Sequence, residues 1–172
     1  GIDRPDLRNP LEIRDISDIV KGSEFQVFQQ ALAKSRAGRN GCVKAIRVPG
    51  GAEKLTRKLT DGYTEFVKQF KTGGVAVAKF TATGFDAGVA KHLEPFKDAL
   101  VARLGLEAGD SVLIVADFWD TATKALGELR LKVGRDLGLV DEKEWRFLWV
   151  VDFPMFDWDD DGKRWVAMHH PF

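Results

Sequence analysis

The chain of 172 residues carries 26 Lys and Arg against 26 Asp and Glu, so its formal net charge is zero, and 44% of its residues are hydrophobic. That length and composition suit one ordinary core with flanking tails, and the balanced charge gives no global cationic field to draw in nucleic acid. The single cysteine, Cys42, excludes an internal disulfide and a cysteine metal cluster; no run is apolar enough to span a bilayer, and the N-terminus lacks the basic-then-apolar order of a secretion signal, so a reducing, cytoplasmic setting without a membrane partner is expected.

Residues 1–10 are charged, hold Pro5 and Pro10 and show no periodic apolar face, which reads as an extended lead-in. Asp15 is placed to cap a short helix with Asp18 in its first turn and Gly22 at its end. Phe25, Val27, Phe28 and Leu32 mark a strand candidate over 25–32. A polar loop over 33–41 leads to a second strand, Val43 to Val48, and so short a connection predicts antiparallel pairing of the two. Thr56 is a suitable N-cap for a helix whose Leu59, Tyr63, Phe66, Val67 and Phe70 form one stripe, stopped by Gly73 and Gly74.

Val75 to Phe80 is a third strand, followed by loop. A short helix over 87–93 precedes another, opened by Pro95, bearing Phe96, Leu100, Val101 and Leu104 and ended by Gly105. His92, alone among them, has no carboxylate or second ligand at useful spacing. Ser111 to Ala116 is the fourth strand. The longest helix runs from Thr121 to Leu137, with Ala122, Ala125, Leu126, Leu129 and Val133 on one face and Gly138 as terminator. Two amphipathic helices need an apolar sheet face to cover. The predicted class is therefore α+β in two layers, a four-stranded sheet with its helices on one face.

Charge is uneven along this frame. From Lys34 to Lys58 eight cations (Lys34, Arg36, Arg39, Lys44, Arg47, Lys54, Arg57, Lys58) stand against one acid, Glu53, whereas residues 141–161 hold eight acids against Lys143 and Arg146. The basic run is a candidate nucleic-acid contact, although most such runs are merely solvated surface. Inside it, Pro49, Gly50 and Gly51 follow a strand, as in a phosphate-cradling turn, but the later glycine, lysine and hydroxyl residue of a P-loop are absent. A tight strand-to-helix connection is the better reading.

The last 26 residues read as two strands joined by an acidic turn. Phe147 to Phe153 is almost continuously apolar, which suits a strand covered on both faces; Asp159 to Gly162 supply turn residues, and Trp165 to Met168 return. His169 and His170 then stand at a strand end. Neighbouring strand side chains point to opposite faces, so the pair is a poor bidentate metal site, and one ring can face a pocket while the other faces the scaffold. On residue types alone, ordinary strand-end histidines are the better reading, since isolated His pairs carry little specificity. No nucleophile, base and orienter occur together, and no metal ligand set, so no catalytic residue and no cofactor is expected in the chain itself.

The run LWVVDFPMF, an acidic turn and W-x-AMHHPF (Leu148 to Phe172) resembles bacterial-type aspartyl-tRNA synthetases, where such a stretch leads back into the catalytic sheet after a large insertion. Three more pieces match in order: RPDLRNPLEI at Arg4 to Ile13, RVPGG at Arg47 to Gly51, and GELRLKVGRDLGL at Gly127 to Leu139. The middle resembles the GAD domain, which that synthetase shares with the B subunit of the tRNA-dependent amidotransferase; the MHHPF run favours the synthetase.

The resemblance implies a fragment: residues 1–20 and 141–172 as flanks of a class II catalytic domain, and 21–140 as a two-layer GAD-like (DCoH-like) insertion. It further implies that the parent is an aspartate–tRNA ligase using ATP and magnesium, with aspartate and tRNA as partners and a homodimer as assembly. His169 and His170 would contact bound aspartate or its adenylate. The insertion itself would be a non-catalytic module that braces the enzyme or meets the tRNA acceptor end. A GAD module of an amidotransferase B subunit, or another stand-alone tRNA-binding module, is the alternative.

Overall fold

The computed structural model describes residues 5–36, 39–152, 154–159 and 162–168, with the backbone alone at Arg36 and Arg39. The chain falls into two compact units, Asn9–Val140 and a smaller one formed by residues up to Arg8 together with those from Asp141 onward.

The larger unit is built on two long strands. Here β3 (Arg39–Val48) pairs antiparallel with β6 (Ser111–Phe118) over eight residue pairs, from Gly41 opposite Phe118 to Val48 opposite Ser111. Each is apolar on both faces. Val43 and Ala45 with Val112 and Ile114 look one way, whereas Ile46 and Val48 with Leu113 and Val115 look the other. Alongside lie β1 (Ile13–Asp15), β4 (Ala76–Thr81) and β5 (Gly84–Asp86), giving the order β1-β3-β6-β4-β5, all antiparallel, while β2 (Ser35–Arg36) folds back on the start of β3.

The class is α+β, as expected, but the sheet has five strands in line rather than four. Segment 25–32 is not a strand. It forms α1 (Gln26–Leu32), burying Phe28 and Ala31 while Val27 faces outward; Phe25, Phe28 and Leu32 are spaced three and four apart, which is helical spacing. The places gained are β1, which lies between the lead-in read at 1–10 and the short helix read from Asp15, and β5, in a segment read as loop. Their shortness hides them: three residues are too few to show alternation.

Two long helices, α3 (Arg57–Lys68) and α6 (Trp119–Asp136), cover one face as the stripes predict, with Tyr63, Val67, Ala122, Ala125, Leu126, Leu129 and Val133 over β3 and β6. The opposite face is also covered, contrary to the one-sided arrangement. There α1, Leu93 of α4 (Ala90–Leu93), Leu100 and Leu104 of α5 (Lys97–Leu104), and Ile16 and Val20 close over Val43, Ala45 and Ile114. The reason lies in the strands. Two central strands apolar on both faces need cover on both, and each fully buried Leu, Ile or Val contributes about 1.5–3 kcal/mol relative to exposure.

The predicted punctuation is present at several ends. Thr56 Oγ1 accepts from the Leu59 amide at 3.3 Å as N-cap of α3, and Gly105 closes α5 in the left-handed region at φ 65°. Asp15 accepts from the Ser17 amide at 2.9 Å, but the segment it opens is a turn and the 3₁₀ helix Val20–Gly22.

In the smaller unit, β7 (Phe156–Asp159) pairs with β8 (Arg164–Ala167), and Trp158 meets Trp165 edge to face with centroids 5.6 Å apart. The first arm of this hairpin therefore lies beyond Pro154 and not at 147–153. Residues 144–151 have no regular structure, and Phe147 and Trp149 are 90% and 94% exposed. An apolar run becomes a buried strand only against a covering face, and the described residues of this unit supply one small hairpin.

Candidate nucleic-acid interface

The structure divides the basic run of 34–58 into cations held by the protein and cations left at the surface. Lys34 Nζ pairs with Asp117 Oδ1 at 2.5 Å and lies over the Phe118 ring. Lys44, on β3, is only 7% exposed; its Nζ donates to Thr123 Oγ1 at 2.7 Å and sits 4.4 Å from the Trp119 ring centre. A lysine in that position is a structural cation, its charge offset by the indole face. Arg47 donates from Nε to Asp110 Oδ2 at 2.6 Å and reaches Glu107 Oε1 at 3.1 Å. These three have their charges answered within the domain, through partners 63 to 83 residues away for the closest contacts.

Arg36 and Arg39 face each other across the β2–β3 ladder. Lys54, at the end of α2 (Gly51–Lys54), and Arg57 and Lys58, in the first turn of α3, are exposed. Arg57 has a loose partner, Asp61 Oδ2 at 3.9 Å. Cations at a helix N-terminus oppose its dipole, so nothing in helix stability favours Arg57 and Lys58 there. Of the eight candidates, these three form the described cationic surface. His169 and His170 lie outside the described residues.

Pro49 to Gly51 form a strand-to-helix connection, and the protein's own carboxylate takes the amide an anion would. The Gly50 amide donates to Asp110 Oδ1 at 3.0 Å, and the buried Asp110 also accepts from the Glu107 amide at 2.8 Å. Gly50 has φ 64°, and a Cβ on Gly51 would stand 2.8 Å from Ser111 Cβ, so both positions require glycine.

A cavity of about 590 Å³ opens between α3 and β4. Its walls include Arg57, Thr60, Asp61 and Thr64, which recur at helical spacing on α3, and Val75, Val77 and Lys79, which alternate along the strand. Ser111 also lines it; its hydroxyl is wholly buried and has no hydrogen-bond partner among the described residues. Sequence reading missed Lys79 and Ser111. The sheet ladders bring them beside the basic run: Ser111 stands opposite Val48 on β3 and opposite Lys79 on β4.

Among the described residues no three His, Cys, Asp or Glu side chains form a set able to hold a metal ion, and no helix is long and apolar enough to cross a membrane. The wholly buried Tyr63 has its phenol pushed above its ordinary range by burial and then by Asp136, so it is a neutral core residue.

Over its whole length the chain is 46% identical to the "Aspartate--tRNA(Asp/Asn) ligase" of Nitratidesulfovibrio vulgaris, of which it covers 27%. Residues 28–126, from within α1 into the first half of α6, match the GAD domain family. That match takes in both central strands, the Arg47–Asp110 contact and the cavity, and the chain belongs to the GAD domain family.

Proposed function

We propose that the chain is part of an aspartate–tRNA ligase of class II, with residues 21–140 inserted between catalytic flanks at 1–20 and 141–172. The observation that carries this is the 46% identity that extends beyond the GAD match to the whole chain, flanks included. In the parent, ATP activates aspartate and the aspartyl group passes to tRNA; the assembly is a homodimer in the cytoplasm. His169 and His170 contact the aspartate or its adenylate. ATP and magnesium belong to the parent's catalytic centre, and the described residues offer no metal ligand set. The chain by itself is inactive.

Within that enzyme the GAD unit is a non-catalytic module meeting the tRNA acceptor end through Lys54, Arg57 and Lys58. What supports this is their exposure beside one another while Lys34, Lys44 and Arg47 are occupied internally. Such contacts act through phosphate neutralisation, which is salt dependent and indifferent to sequence.

One assay pair tests the reading in the full-length parent. Aspartate-dependent exchange between ATP and pyrophosphate needs no tRNA, whereas aminoacylation does. Alanine at His169 or His170, whichever faces the ligand, lowers exchange. Alanine at Lys54, Arg57 and Lys58 together raises KM for tRNA about tenfold at low salt. A parent without aspartate-dependent exchange refutes the ligase, unchanged exchange in both histidine variants refutes their role, and an unchanged KM for tRNA refutes the contact.

A further inference from the structure

The cavity between α3 and β4 has a chemistry that the basic surface alone does not explain. On the face covered by α3 and α6, α6 lies over β3 and β6 and α3 lies against α6, leaving a groove along β4. Its volume of about 590 Å³ falls in the range of small-molecule sites. Two cations stand in its walls. Arg57 is 95% exposed and only loosely paired, so it is free to turn toward a ligand, and Lys79 projects from β4, opposite Asp86 in the β4–β5 ladder. Asp61 and the hydroxyls of Thr60 and Thr64 follow along α3, and Leu55, Val75, Val77 and Val89 supply apolar surface.

Ser111 is the fully buried polar residue of this lining. Its hydroxyl is wholly buried and unpartnered, and its surroundings are tight: the Oγ lies 3.1 Å from where a Gly51 Cβ would be. An unmade buried hydrogen bond is costly, and alanine would serve the fold better at that position. With no surface of its own open to the groove, the hydroxyl is not a ligand contact, and Ser111 serves only to shape the lining.

We propose that the groove binds a ribonucleoside monophosphate, the phosphate at Arg57 and Lys79, the ribose hydroxyls at Asp61 and the threonines, and the base over the valines. Each part of the ligand has its complement. A guanidinium and an ammonium answer the phosphate, a carboxylate accepts from vicinal ribose hydroxyls, and an apolar floor takes a base edge or face. Asp61 explains a preference for ribose over deoxyribose, because only the ribose offers it a second donor. The ligand is a free nucleotide or a nucleotide at the end of an RNA strand. The inference does not rest on the ligase reading, since binding is measured on the chain itself without tRNA or catalysis.

The test is calorimetric titration of the 172-residue chain with AMP, dAMP, inorganic phosphate and a five-nucleotide single-stranded RNA. AMP or the RNA binds saturably, dAMP binds several-fold more weakly than AMP, and phosphate alone is weaker than AMP by about tenfold or more, the loss of the sugar and base contacts. Saturation by AMP assigns the site to a free nucleotide, and saturation by the RNA alone assigns it to a strand end. The double variant Arg57→Ala, Lys79→Ala, both on the surface side of the groove, lowers affinity about tenfold or more with an unchanged melting temperature. No saturable binding of AMP or the RNA up to about 1 mM overturns the proposal. Where AMP saturates, equal binding of AMP and phosphate overturns it, and an unaffected double variant overturns it in either case.

Discussion

Cys42 shows how much one buried position controls. It lies 4% exposed on β3, opposite Asp117, and burial is the main force raising its thiol to about 11; Lys44 pulls the other way, and Asp15, Asp117 and Asp120 add to the rise. The unfolded thiol ionises near 9.0, so the folded chain holds the proton longer. Its contribution to stability is complete below pH 9.0 and is lost as pH climbs toward about 11. At pH 8, iodoacetamide should therefore alkylate native Cys42 about 100-fold more slowly than the unfolded chain, since thiolate fraction sets the rate and burial adds to it. Equal rates, read by mass spectrometry, would remove Cys42 from the core. The small buried filler was legible from its place before an apolar strand. The fate of the neighbouring lysines was not, because Asp117 and Thr123 reach them from a distant part of the sequence.

Among the elements, α6 holds the lead-in to β1 by a set of contacts at one glycine. Asn9 Nδ2 donates to the Arg130 carbonyl at 2.9 Å, Asn9 Oδ1 accepts from the Leu11 amide at 3.0 Å, and Arg130 donates to the carbonyls of Asn9, at 2.7 Å, and Leu11. A Cβ at Gly134 would stand 2.4 Å from Asn9 Nδ2, whereas one at Gly127 meets nothing within 4 Å. The same substitution in one helix thus has two signs. Gly127→Ala should stabilise by about 0.5–1 kcal/mol through helix propensity alone. Gly134→Ala should destabilise by about 1–3 kcal/mol, because displaced buried hydrogen bonds outweigh that gain. Urea melts of the two variants decide it, and matching signs would refute the clasp. Sequence made α3, α5 and α6 readable because twelve, eight and eighteen residues show a stripe with stops. It failed at α1, where seven residues fit either period until the buried side of Phe28 and Ala31 is known. It failed again at β1 and β5, which exist through their neighbours' ladders.

At the scale of the whole molecule, the two units differ in how their backbone is protected. Among the described residues, every helix and the large sheet belong to Asn9–Val140, while residues 144–151 have no regular structure and carry exposed side chains. Proteases need an extended, accessible backbone, so trypsin at low dose should cut first at Lys143 or Arg146 and leave a product that still unfolds cooperatively. First cuts within the sheet or the long helices would contradict the division. The groove was invisible in the sequence for a related reason. Its walls come from α3 and β4, and the first residue of β6 also lines it, so no single stretch contains the site.

The tryptophans are distributed against the mass of the fold. Four of the five, Trp145, Trp149, Trp158 and Trp165, belong to the smaller unit, and the larger has only Trp119, itself 53% exposed at the start of α6. Intrinsic fluorescence therefore reports mainly on the minor unit, while helical circular dichroism reports on the major one. A melting curve from either signal alone describes one part of the chain, and a two-state fit that combines them assigns the stability of one unit to the other.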